Sequence, residues 1–69
     1  MMGTIIRDLR QARGWTPAEL ARRAELHPDT IRKIERGTRI PGSVTLIVLA
    51  QAFGVPVDAL VPRRAEAPL

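Results

Sequence analysis

Glycine and proline cut this chain into five short segments, each the size of an ordinary helix. Inside them the apolar residues recur at helical spacing rather than in alternation. The first segment, Thr4 to Arg13, carries Ile5, Ile6, Leu9 and Ala12, and Gly14 follows where a left-handed C-terminal cap falls. The second has the strongest start signal in the chain. Thr16-Pro17-Ala18-Glu19 supplies an N-cap hydroxyl, a proline at the first helical position and a glutamate that completes a capping box. Leu20, Ala21 and Ala24 form its inward stripe, and Arg22 and Arg23 point away into solvent.

Only Glu25-Leu26-His27 separates this segment from the next, which Pro28 opens and Gly37 closes after Arg36. Ile31 and Ile34 are its apolar pair, and Arg32, Lys33 and Arg36 are its basic positions. A loop from Thr38 to Gly42 leads into a fourth segment, Ser43 to Phe53, with Leu46, Leu49, Ala50 and Phe53 expected inward and Gly54 at its end. A fifth helix is expected over Val57 to Val61, before Pro62. The one strand-like run, Val44 to Leu49, lies inside a longer stretch of helical period. The predicted class is all-α: one domain over residues 1–62 and a frayed tail over 63–69.

Size and composition narrow the function. A chain of 69 residues buries only about 60% of its unfolded surface, so helix packing, with or without self-association, is left to supply its stability. The absence of cysteine removes disulfides, thiolate metal sites and thiol catalysis together, and one histidine does not make a metal site, so neither metal nor cofactor is expected. No acid–base pair, nucleophile arrangement or phosphate-binding glycine loop is present, which argues against an enzyme. No run approaches the roughly 20 apolar residues of a membrane span, and the start lacks a secretory signal, so a cytoplasmic protein is expected. The formal charge is +4, and ten of the eleven basic residues are arginine. Arginine matches phosphate geometry and favours an anionic partner; a solvated arginine-rich surface accounts for the charge equally well.

The stretch from Thr16 to Arg36 is therefore a capped helix, a very short turn and a helix with basic outward positions. A helix-turn-helix has this plan, and it presents its second helix to the major groove of DNA. Small Ala21 sits where the two helices would approach closely. The segments AELARRA, TIRKIERG and LAQAFGVPVDAL resemble, at matching spacings, the Cro/C1-type helix-turn-helix family (the XRE family) of phage and bacterial repressors. The resemblance runs from Ile6 to about Val61 and implies a five-helix, lambda-repressor-like domain that binds double-stranded operator DNA as a two-fold homodimer.

Carried over position by position, the resemblance implies a recognition helix from Pro28 to Arg36, with His27, Pro28, Asp29 and Lys33 at base-contacting positions. It implies backbone contacts from Thr16, Arg32, Arg36, Thr38 and Arg39, and a structural ion pair between Arg10 and Glu35. Pro17 stands where the family usually has a phosphate-clamping glutamine, and Pro28 where a polar reader is usual. Glu25 takes a turn position that usually holds glycine. Asp29 can only accept hydrogen bonds, which suits a cytosine amino group; it can also serve the helix dipole or pair with Lys33 four residues on. Trp15 and Phe53 are expected in the core. Val44 and Val48, neighbours on the fourth helix, join Val57, Val61 and Ile40 as an expected dimer or partner surface. An antitoxin or protein-interaction module on the same scaffold, with a protein partner on that surface, is the alternative.

Overall fold

The computed structural model describes residues 2–62, so the expected tail lies outside the described residues. Four α-helices follow one another, α1 (Met2–Ala12), α2 (Pro17–Ala24), α3 (Pro28–Arg36) and α4 (Ser43–Phe53), and a 3₁₀ turn (Val57–Leu60) closes the described chain. The all-α class is as expected. The fifth helix is not: Pro56 and Pro62 bracket too few residues for two α-turns, and Val57–Leu60 form a single 3₁₀ turn, with Val61 already extended.

Each of the four helices ends in the same way. The residue after its last turn is left-handed, and its amide and the next one donate back to carbonyls of the final turn. Gly14, Gly37 and Gly54 hold this position after α1, α3 and α4, and Glu25 holds it after α2 with φ +58°. At Glu25 the two bonds are Glu25 N–H to the Arg22 carbonyl (3.3 Å) and Leu26 N–H to the Ala21 carbonyl (2.8 Å). A side chain in this conformation is strained by on the order of 1 kcal/mol, and two good backbone bonds offset it.

One core ties the helices together. Ile6, Leu20, Ile31, Leu49 and Leu60 are completely buried, and Ala21, Ala24, Ile34, Ala50 and Phe53 complete the cluster. Each buried Ile or Leu contributes roughly 1.5–3 kcal/mol, so the short 3₁₀ turn is held on mainly through Leu60. Helix α3 packs against both α2 and α1, and α4 packs against α2 and the 3₁₀ turn. Leu46 is half-buried against the core rather than inside it.

Helix α1 starts two residues earlier than Gly3 suggests, because that glycine is a contact residue and not a breaker. It is buried against the last turns of α3, and a Cβ there would collide with the Ile34 carbonyl and lie 2.9 Å from the Glu35 carbonyl. The inward face of α1 is Gly3, Ile6 and Arg10, while Ala12 is exposed.

Candidate nucleic-acid interface

The turn between α2 and α3 fixes the geometry of the site. Thr16 caps α2, its Oγ1 accepting from Glu19 N–H at 3.1 Å. The reciprocal half of the capping box is not made. The Glu19 carboxylate turns to Arg22 and Arg23 instead, and the Arg22 hydrogen bond, followed by its charge and by Arg23, holds it below the ordinary carboxylate range. At the start of α3, His27 is the cap. Its Nδ1 accepts from Asp29 N–H at 3.0 Å, so in the neutral ring the proton sits on Nε2, an exposed donor beside the helix start.

Helix α3 has two contrasting sides. Inward, Ile31 and Ile34 are buried, and Glu35 forms a two-pronged pair with Arg10 of α1: Nε–Oε2 is 2.7 Å and Nη2–Oε1 is 3.0 Å. The third arm of Arg10, Nη1, donates to the Trp15 carbonyl at 2.7 Å, and the residue is only 8% exposed. Arg10 is thus part of the scaffold, as the resemblance implies. Outward, Asp29, Arg32, Lys33 and Arg36 are all exposed on one face.

Charge on the outward side is sorted. Asp29 pairs with Arg32, Nη1–Oδ1 3.1 Å, and not with Lys33 as the spacing also allowed. Among the described residues Lys33, Arg36 and Arg39 make no ion pair. The loop after α3 continues this face. Thr38 Oγ1 donates to the Lys33 carbonyl at 3.2 Å, and the amides of Thr38 and Arg39 reach the same oxygen. Arg39 therefore leaves a fixed turn and is exposed. Pro28 is half-buried, and its side chain carries no polar atom. The structure thus brings His27, Asp29, Arg32, Lys33, Arg36, Thr38 and Arg39 to one helix and its two ends, while Thr16 lies at the start of α2.

Two groups of residues escape a reading by periodicity. Arg13 donates to the Leu9 carbonyl (2.9 Å) and to the Phe53 carbonyl at the end of α4 (2.8 Å). Its guanidinium lies 5.1 Å from the Phe53 ring, and Phe53 stacks on Trp15 with centroids 5.9 Å apart. Arg23, exposed as expected, also lies over the indole, its guanidinium 4.3 Å from the ring centroid. Trp15 is accordingly half-buried rather than a core residue. Nothing in spacing alone announces this stack, since it joins three elements.

The apolar surface also differs in detail from the expected one. Ile40 is 86% exposed, Val44 74% and Ile47 46%, and Val57 at the start of the 3₁₀ turn is also exposed. Val48, expected to pair with Val44, is half-buried and lines a groove with Arg23, Ala24, Glu25, Gln51 and Ala52. The exposed pair on α4 is Val44 and Ile47, and Val61 is half-buried. The signal for Ile47 was available: residues 44 and 47 share a face as readily as 44 and 48.

Among the described residues no helix is long and apolar enough to cross a membrane. Comparison with known proteins agrees with the geometry. A family model described as Helix-turn-helix matches residues 6–60. The HTH-type transcriptional regulator y4dJ of Sinorhizobium fredii (strain NBRC 101917 / NGR234) is 35% identical over 68 residues, covering 99% of this chain and 88% of that protein. The crystal structure of the restriction-modification controller protein C.AhdI from Aeromonas hydrophila superposes with a TM-score of 0.84 at 30% identity, over 87% of this chain and 91% of that one.

Proposed function

Because the chain belongs to the Cro/C1-type helix-turn-helix family of DNA-binding transcription regulators, we propose that it is a sequence-specific repressor that binds a two-fold operator as a homodimer through α3. The observation that carries this reading is the outward face of α3. On a helix anchored by Ile31, Ile34 and the Arg10–Glu35 pair, the exposed side and the adjoining loop hold Arg32, Lys33, Arg36 and Arg39. Rigid backing and a cationic front are what reading a groove requires.

The contacts divide by chemistry. Lys33 and the Nε2–H of His27 are donors within reach of base edges at the start and middle of α3. Asp29 is an acceptor there, and Pro28 offers only apolar contact. Arg36, Arg39, Thr38 and the hydroxyl of Thr16 serve the phosphates on either side, fixing register without reading sequence. The second copy docks through the apolar side chains of Val44 and Ile47 on α4 with Ile40, Val57 and Val61. Two α3 helices then enter successive major grooves about 34 Å apart. The alternative occupant of that surface is a different protein, as in an antitoxin.

Selection from a random duplex pool at moderate salt tests the reading. A two-fold symmetric motif is the expected result. Retention without an enriched motif would reduce the protein to a backbone binder, and no retention at all would transfer the function to the protein-partner alternative.

A further inference from the structure

The start of α3 is poor in outward side-chain donors. Pro28 has none, Asp29 has none in its ionised side chain, and His27 offers a single N–H because its other ring nitrogen caps the helix. Guanine presents two acceptors in the major groove, N7 and O6, and a fork of two N–H groups meets them best. The chain holds one such fork on the outward face of α3 next to the helix start, and it is the guanidinium of Arg32.

Arg32 is also unlike the other cations of the face. Lys33, Arg36 and Arg39 have no carboxylate beside them among the described residues, whereas Arg32 is held by Asp29 through Nη1 at 3.1 Å. Both side chains are well exposed, so the pair does little to hold the fold together. For a phosphate contact the arrangement is counterproductive, because the carboxylate cancels the attraction and repels the nearby strand. For a base contact it is useful. The bond to Nη1 restricts the plane of the guanidinium, and Nε and Nη2 remain as donors. Asp29, one turn nearer the helix start, therefore acts on Arg32 as an orienting group.

We propose that Arg32 is the guanine-reading residue of α3, placing its fork on O6 and N7, and that Asp29 is the positioning residue that aims it. This assigns Arg32 to a base and not to the phosphate that the family resemblance implies, and it rests on the DNA-reading function proposed above. The pair also limits what the site accepts: a free carboxylate oxygen of Asp29 faces the neighbouring base pair, where it favours an amino group and disfavours an acceptor.

The test uses the random-pool selection with the wild type, Arg32→Lys, Arg32→Ala and Asp29→Ala. It is followed by affinities for the selected duplex, for the same duplex with the guanine replaced, and for a random duplex. The wild type should prefer the guanine by roughly 5- to 150-fold. Arg32→Lys should bind the random duplex like the wild type, because the charge is kept, but lose the preference at that one position of each half-site. Asp29→Ala should bind the random duplex at least as tightly as the wild type and discriminate several-fold less at the same position, a readout that a merely helix-stabilising aspartate would not move. Circular dichroism should be unchanged in all three variants, since both residues are exposed. If Arg32→Lys keeps every base preference and Arg32→Ala weakens all duplexes alike, Arg32 is a phosphate contact; the inference then falls while the operator-binding reading stands. If Asp29→Ala leaves discrimination intact, the positioning role is overturned. A wild type that enriches no motif overturns both.

Discussion

Helices α3 and α4 are near neighbours in length and end in the same left-handed glycine, yet they expose opposite chemistries. The free side of α3 is charged, with Asp29, Arg32, Lys33 and Arg36 outward and only Ile31 and Ile34 buried. The free side of α4 is apolar, with Val44 and Ile47 exposed over a helix that has no charged residue. A soluble helix gains nothing from exposed valine and isoleucine unless something covers them. Nor do several like charges on one face stabilise a helix by themselves. On the proposed function each face meets a partner of its own, DNA at α3 and an apolar surface at α4.

The largest effect on this comparison should come from behind α3. Arg10→Ala leaves Glu35 charged and unpaired at a nearly buried position, which costs about 3–5 kcal/mol, a large share of the stability of a domain this small. Urea denaturation reads it directly. Replacing both partners, Arg10→Met with Glu35→Leu, should recover most of the loss, and a double variant as unstable as the single one would mean that the pair acts by more than mutual neutralisation.

The next effect separates the two faces. Val44→Asp combined with Ile47→Asp should convert a dimer to a monomer in sedimentation while leaving the helical signal intact, since neither side chain is in the core. Unchanged association would move the dimer contact off α4. On the other face, Arg36→Ala and Arg39→Ala should each weaken duplex binding and lower the salt slope by about one unit, with no change in sedimentation. A slope that does not move removes that residue from the phosphate contacts.

The smallest effect lies in the turn that sets the angle of α3. Glu25→Gly should raise stability by up to about 1 kcal/mol, because the strain of a left-handed glutamate is relieved while glycine adds some entropy to the unfolded chain. Thermal unfolding measures it, and a destabilised variant would show that the Glu25 side chain makes up for its backbone.

What the sequence revealed followed from local physical chemistry. The Thr16-Pro17-Ala18-Glu19 start and the Pro28–Gly37 frame placed α2 and α3 correctly, because caps and terminators act within a few residues. The Arg10–Glu35 pair was legible only through the family resemblance, since it joins positions 25 apart. The first segment begins at Thr4 in the sequence and at Met2 in the structure, because a glycine that admits a neighbouring backbone, as Gly3 does, is indistinguishable in sequence from one that breaks a helix. The partner of Asp29 was also undetermined, since spacings of three and four both place residues in reach; side-chain geometry, and not spacing, selects Arg32. Arg23 is exposed as expected, but its contact with the indole is not legible in spacing, because Trp15 comes from outside its own helix.

The most direct test of the central claim is to follow the backbone amides by nuclear magnetic resonance as a short duplex is added at low salt. The account predicts that shift changes concentrate at His27, Asp29–Lys33, Arg36, Thr38–Arg39 and Thr16, with α4 unaffected. Changes centred on Val44 and Ile47, with α3 silent, would contradict it.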